Sequence, residues 1–321
     1  MGPAAARRII IDTDPGKDDA VAILLALASP ELEVMSLMAV AGNVPLARTE
    51  TNARALLELG GRPDIPVFRG CERPLVRDPV TAKHVHGASG LEGLALPEPT
   101  CPAADGHAVD HLIAALNNTP AGTVTLCLLG PATNLAMALV KAPEIATRIQ
   151  EVVWMAGARR EGGNVTPAAE YNVHADPEAA AVLLRSRIPI VMIPLDLTHQ
   201  VRLSKARLNR LRAIPTATAA AVVDLFSDAA GDPVREHGIE GAPLHDPCVV
   251  AYLLRPALFS GHAIHVAVET ASPLTLGMTV ADCFGVTGCD ANVTWMSGID
   301  AQGVFDLLSE RLAAGPHRQG R

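Results

Sequence analysis

The segment Ile9-Ile10-Ile11-Asp12-Thr13-Asp14-Pro15-Gly16-Lys17-Asp18-Asp19 constrains this chain more than any other stretch. An apolar run ends in a turn carrying four carboxylates, and the apolar stretch Ala20 to Ala28 follows at once. That order reads as a buried strand handing over to a helix, with the acids at the mouth of a sheet and not on a solvated face. Crowded carboxylates need a cation or hydrogen-bond donors to stay ionised. Ligands that are all oxygen point to a hard ion, Ca²⁺ or Mg²⁺, and away from zinc. A plainer reading competes: Asp is a preferred N-cap, acids suit a first helical turn, and Pro and Gly are ordinary turn residues. Against it, the positive end of a helix opposes a cation, so a metal there requires extra carboxylates, and this turn supplies them.

Elsewhere, Val- and Ile-rich runs alternate with helical patterns. The strand candidates are 8–12, 34–40, 65–68, 124–129, 152–155, 188–193 and 264–268; the helices between them are 18–28, 46–59, 108–117, 132–140, 177–184 and 247–254. Strands that are continuously apolar are buried on both faces, which implies a mostly parallel sheet between helix layers. The expectation is an α/β fold: one doubly wound domain with a Rossmann-like core over 7–313, with flexible ends at 1–6 and 314–321.

At 321 residues the chain can bury a large core, and its 49% hydrophobic content is that of a globular protein. A net charge of −8 without a basic, aromatic-laced stripe argues against nucleic acid as a partner. No signal-peptide core precedes Asp12, and the apolar stretch 20–28 is too short to span a bilayer, so a cytoplasmic protein is expected. The six cysteines show no ligand-like spacing, and Cys127 and Cys248 lie in apolar segments as core residues.

Ligands of doubly wound sheets bind beyond the carboxyl ends of the strands. The polar residues at those ends are Asp12 to Asp19, Gly42-Asn43, Gly130 to Asn134, Gly157 with Asn164 and Glu170-Tyr171-Asn172, and Asp196 with His199. This is an acceptor-rich cup that suits an uncharged, hydroxylated ligand such as a sugar with a cation at its base. Phosphate would want glycine-rich N–H cradles and basic side chains. A second acidic point, His245-Asp246-Pro247, opens the helix at 247–254. Asp246 is either an N-cap ahead of Pro or a further metal ligand, and His245 beside it is a plausible general acid.

Together, Asp12-Thr13-Asp14-Pro15-Gly16-x-Asp18-Asp19-Ala20 and His245-Asp246-Pro247 resemble the inosine–uridine-preferring nucleoside hydrolase family. Ala41-Gly42-Asn43, His86-Gly87, Gly130-Pro131-x-Thr133-Asn134-Leu135, Met155-x-Gly157, Glu170-Tyr171-Asn172 and Asp176-Pro177-Glu178-Ala179-Ala180 agree in order, so the resemblance covers nearly the whole chain. It implies a Ca²⁺-dependent N-ribohydrolase of nucleoside salvage, a homodimer or homotetramer, that splits ribonucleosides into base and ribose. It also implies Ca²⁺ ligands at Asp14, Asp19 and Asp246 and at the backbone carbonyl of Leu129. Asp18, Asn43, Asn164, Glu170, Asn172 and Asp246 resemble the residues that hold the ribose, with Met155 beneath the sugar. Asp14 is then the general base and His245 the group that protonates the departing base. The chemistry is coherent, because cleavage passes through an oxocarbenium-like state that a ring of carboxylates and amide oxygens favours over the neutral substrate.

The chain departs from the family pattern at Lys17, at Ala88 after His86-Gly87, and between Phe226 and Gly241, where aromatic residues that close over the base are absent. His86 and His237 are the candidates for the base pocket. Two rivals remain open: a Mg²⁺ phosphohydrolase with Asp12 as nucleophile, and a Ca²⁺-dependent nucleoside-binding protein without turnover. A modified nucleoside or another N-riboside as substrate also stays open.

Overall fold

The computed structural model describes residues 5–227 and 241–315. The first half alternates β1 (Arg7–Thr13), α1 (Lys17–Leu27), β2 (Leu32–Ala39), α2 (Leu46–Leu59), β3 (Val67–Arg69), α3 (Lys83–His86), α4 (Ala108–Asn118), β4 (Val124–Leu128), α5 (Thr133–Lys141) and β5 (Ile149–Met155). Then come α6 (Tyr171–Ala175), α7 (Pro177–Leu184), β6 (Ile190–Ile193), α8 (Leu195–Thr198), β7 (Arg202–Leu203), α9 (Lys205–Arg212) and α10 (Ala217–Ser227). The chain resumes with β8 (Ala242–Pro243), α11 (Pro247–Leu254), β9 (Phe259–Val268), β10 (Thr279–Asp282), β11 (Val293–Ile299) and α12 (Ala301–Ala314).

Among the described residues the main sheet runs β3-β2-β1-β4-β5-β6-β11-β9-β10. Pairing is parallel from β3 to β11 and antiparallel between β11, β9 and β10. The expected single α/β domain with a mostly parallel sheet is what forms. The chain winds outward from β1 to β3 and then returns to β4 on the other side of β1. The strand order therefore reverses between β1 and β4, where such sheets open a crevice for ligands. Register sets Asp12 beside Leu128, so Leu129-Gly130 lies next to the acidic turn.

β1 has to be apolar on both sides because it faces two cores. Ile9 and Ile11 pack with residues of α1, α2, α10, α11 and α12, whereas Ile10 packs with residues of α4, α5 and α7. All three isoleucines are fully buried, each contributing about 1.5–3 kcal/mol. α1 is buried from Asp19 to Leu27. It lies against α2, α10, α11 and α12, so it has no solvent face to make polar.

The expected strand 188–193 begins at Ile190, after Pro189, which has no N–H to give to a ladder. The expected strand 264–268 reaches back to Phe259. β7, β8, β10, β11, α3, α6, α8, α9, α10 and α12 come in addition. β11 escapes notice because its apolar pattern is broken at Ser297-Gly298, where its register with β9 shifts. No helix among the described residues is long and apolar enough to cross a membrane.

Candidate active site at the head of the first strand

The turn after β1 folds its acids inward. Asp12, Asp14 and Asp19 are buried and Asp18 is half-buried. Thr13 donates its hydroxyl to Asp19 Oδ1 at 2.6 Å, and the Gly16 N–H donates to Asp19 Oδ2 at 2.9 Å. Asp19 thus caps α1 from its N3 position and also faces the cluster. The capping and metal readings of this acid are compatible.

Asp246 separates the same two readings. It stands at the N-cap position of α11, ahead of Pro247, yet its side chain makes no capping hydrogen bond. Instead Asp18, Asp19 and Asp246 bring carboxylate oxygens within 4.8 Å of one another. Asp14 lies alongside, with Oδ2 accepting the Asn43 N–H at 2.7 Å. Its Oδ1 is buried with no partner.

Glycine makes room for Asp14. A Cβ on Gly42 would stand 2.0 Å from Asp14 Oδ2, and one on Gly130 would stand 2.4 Å from Oδ1. The ends of β2 and β4 therefore cradle this carboxylate so closely that no side chain fits on either flank.

The electrostatics follow from burial and from like charges. Burial first, then the charge of Asp19, pushes Asp14 well above the usual carboxylate range. Burial, then Asp18, Asp19 and Asp14, does the same to Asp246. Burial and then Asp18 raise Asp19, and burial lifts Asp18 to about 6. The charges bearing on Asp14 and Asp246 are those of other acids. An all-oxygen set with an unpartnered buried oxygen and unrelieved repulsion has the character of a site for a hard cation.

Several of the residues expected to hold the ribose are tied to this cluster or to one another. Asn43 Nδ2 donates to the Asp14 carbonyl and to Asp19 Oδ2, both at 3.2 Å. Asn172 Nδ2 donates to the carbonyl of Leu129 at 2.7 Å and to that of Met155 at 3.1 Å. The Leu129 carbonyl, just past β4, is thereby held by Asn172. Glu170 caps α6, accepting the N–H groups of Asn172, Val173 and Gly157, and burial still lifts it to about 7. Asn164 is exposed and accepts the Tyr171 N–H at 2.9 Å.

Two histidines flank the acids. His86 Nδ1 accepts the Lys17 N–H at 3.1 Å, and burial pushes this ring down to about 4. His245 Nδ1 lies 2.8 Å from Thr198 Oγ1. Burial and then His199 push His245 down to about 3. His237 lies outside the described residues.

Thr13, Asn134 and Thr198 join the site without standing among the candidate residues. Asn134 Nδ2 donates to Asp12 Oδ1 at 2.8 Å, and its own Oδ1 accepts the Cys71 N–H at 2.8 Å. Its place in Gly130 to Asn134 at a strand end was the available signal. Asp196 braces the rim by accepting the N–H groups of Arg159 and Arg160 at 2.7 Å each. Trp154 is core, with its indole N–H on the Gly130 carbonyl.

Comparison with known proteins places this arrangement. Residues 9–306 match the family described as inosine-uridine preferring nucleoside hydrolase. The chain is 49% identical to an uncharacterized protein of Schizosaccharomyces pombe, over 96% of this chain and 100% of that one. It is 47% identical to the pyrimidine-specific ribonucleoside hydrolase RihA of Salmonella gallinarum, over 95% of this chain and 97% of the relative. Among solved structures, a purine-preferring ribonucleoside hydrolase from Gardnerella vaginalis superposes with a TM-score of 0.89 at 30% identity, covering 96% and 98% of the two chains. A plant nucleoside hydrolase, PpNRh1, superposes with a TM-score of 0.86 at 33% identity, covering 96% and 99%.

Proposed function

The chain belongs to the inosine-uridine preferring nucleoside hydrolase family and hydrolyses the N-glycosidic bond of ribonucleosides; we propose that it does so with Asp14 as general base in a calcium site built from Asp14, Asp19, Asp246 and the Leu129 carbonyl. The observation that carries this reading is the buried, unpartnered Oδ1 of Asp14 among acids that only repel it. When bound, calcium supplies charge neutralisation, a fixed place for the attacking water and the ribose hydroxyls, and a lowered water pKa.

The protein's own groups account for the rest. Asp14 takes a proton from the water. Asp18, Asn43, Asn164, Glu170, Asn172 and Asp246 hold the ribose, and Met155 lies beneath it. Their oxygens stabilise the positive charge that builds on the ring as the C1′–N bond opens. His245 donates a hydrogen bond to the departing base, and His86 borders the base pocket. The acceptor-rich cup suits an uncharged ribose better than phosphate, which disfavours the phosphohydrolase rival.

The preferred substrate is a pyrimidine ribonucleoside, because the curated relative at 47% identity is pyrimidine-specific whereas the purine-preferring structure is 30% identical. The protein acts as a homo-oligomer, as its resemblance to the family implies.

Ribose release from uridine, cytidine, inosine and adenosine, with calcium and after chelation, tests the whole reading. Calcium-dependent release, fastest from the pyrimidines, is the expected result. Release unaffected by chelation would remove the metal from the reaction, and a faster reaction with inosine would overturn the base assignment.

A further inference from the structure

Thr198 is fully buried and its hydroxyl lies 2.8 Å from His245 Nδ1. Two distant segments meet to make this contact. β6 runs into α8, which ends at Thr198, whose backbone N–H donates to the Pro194 carbonyl at 3.0 Å. His245 arrives after β8, which is registered on β7 through Arg202 with Pro243 and Leu203 with Ala242. The Leu244 N–H then donates to the Val201 carbonyl at 2.8 Å. The ribbon sets the separation of the two residues, which leaves ring orientation to the hydroxyl.

A buried hydroxyl must place its hydrogen on an acceptor. Among the described residues, His245 Nδ1 is the partner of Thr198 Oγ1. The hydrogen therefore goes to Nδ1, and the ring carries its own hydrogen on Nε2. His86 reaches the same tautomer by another route, because its Nδ1 accepts the backbone N–H of Lys17. His199, tied to Glu161 at 2.9 Å, closes on His245 from one side with ring centres 5.6 Å apart.

We propose that Thr198 is a positioning residue for nucleobase departure: its hydroxyl holds His245 at Nδ1 so that the Nε2–H is presented to the leaving base. The inference rests on His245 serving the leaving group. In the step it supports, the C1′–N bond breaks and its electron pair stays on the base. The Nε2–H donates a hydrogen bond to the base as that negative charge builds, and no proton crosses.

The test compares uridine with p-nitrophenyl riboside, whose leaving group is stable as an anion, using calcium-loaded full-length protein. Thr198→Val should lower kcat for uridine roughly ten- to a hundred-fold and leave p-nitrophenyl riboside within about twofold. Thr198→Ser should restore uridine turnover. Thr198→Ala, which removes the hydroxyl without inserting a methyl, repeats the measurement should the Val variant misfold. His245→Ala provides the reference. If His245→Ala is selective for uridine and the hydroxyl-free variants slow both substrates alike, or neither, the positioning role is overturned while the His245 reading stands. If His245→Ala itself slows both alike, the leaving-group reading fails and the proposal falls with it.

Discussion

Asn43 grips Asp14 twice: its backbone N–H donates to the carboxylate Oδ2 at 2.7 Å, and its side-chain Nδ2 donates to the main-chain carbonyl at 3.2 Å. The same Nδ2 reaches Asp19 Oδ2, so one amide spans two acids that repel each other. Asn43→Ala keeps the backbone bond and loses the span. A hydrogen bond to a charged group is worth about 1.5–3 kcal/mol, so calcium affinity should fall roughly ten- to a hundred-fold. Calorimetric titration with calcium measures this; wild-type affinity in the variant would show that the amide does not organise the acids.

Asp14→Asn removes the proposed base and keeps the shape between Gly42 and Gly130. Turnover should drop by about 10²–10⁴-fold, while nucleoside binding measured by equilibrium dialysis persists. A loss smaller than tenfold would take the base role away from Asp14.

The raised acids couple calcium, protons and stability. Without metal, burial holds Asp14, Asp18, Asp19 and Asp246 above their unfolded values. The folded apoprotein therefore binds more protons than the unfolded chain above about pH 4, and its stability falls as pH rises through about 6. With calcium that slope is cancelled, because the ion displaces those protons and binds more tightly as pH rises. Melting temperatures at pH 5.5 and 7.5, in chelator and in calcium, read both slopes. An increment from calcium that is the same at the two pH values would show that protons do not compete for the site.

Asn134→Leu strips the partner from buried Asp12 Oδ1 and from the Cys71 N–H. Asp12 Oδ2 already has none, and burial lifts this carboxyl to about 7. Two newly orphaned groups at about 1–3 kcal/mol each should lower unfolding stability by roughly 2–6 kcal/mol in urea titrations. A change below about 1 kcal/mol would mean that the pocket rehydrates.

Much of this molecule is written locally. The isoleucine run and the acids after it belong to one short segment, so β1, α1 and the carboxylate turn are legible together. The same holds for Gly42-Asn43 and Gly130 at the ends of β2 and β4. Asp246 was ambiguous because Asp before Pro is what an N-cap and a ligand both look like; only the missing capping bond separates them. The contact of Thr198 with His245 spans 47 residues and depends on the β7–β8 register, which no local pattern encodes. β10 and β11 were hidden for a related reason, being short or interrupted strands that become strands by pairing with β9.

β1, wedged between two cores through Ile9, Ile10 and Ile11, has a consequence for how the protein breathes. Amides of such a strand exchange with solvent only when the whole domain opens. Asp14 follows directly on that strand, and Asp18 and Asp19 open α1, which is buried against the same core, so their repulsion is not relieved by fraying a loop. It acts on the global unfolding equilibrium. Chelating calcium should thus speed hydrogen–deuterium exchange across the central sheet, far from the acids themselves.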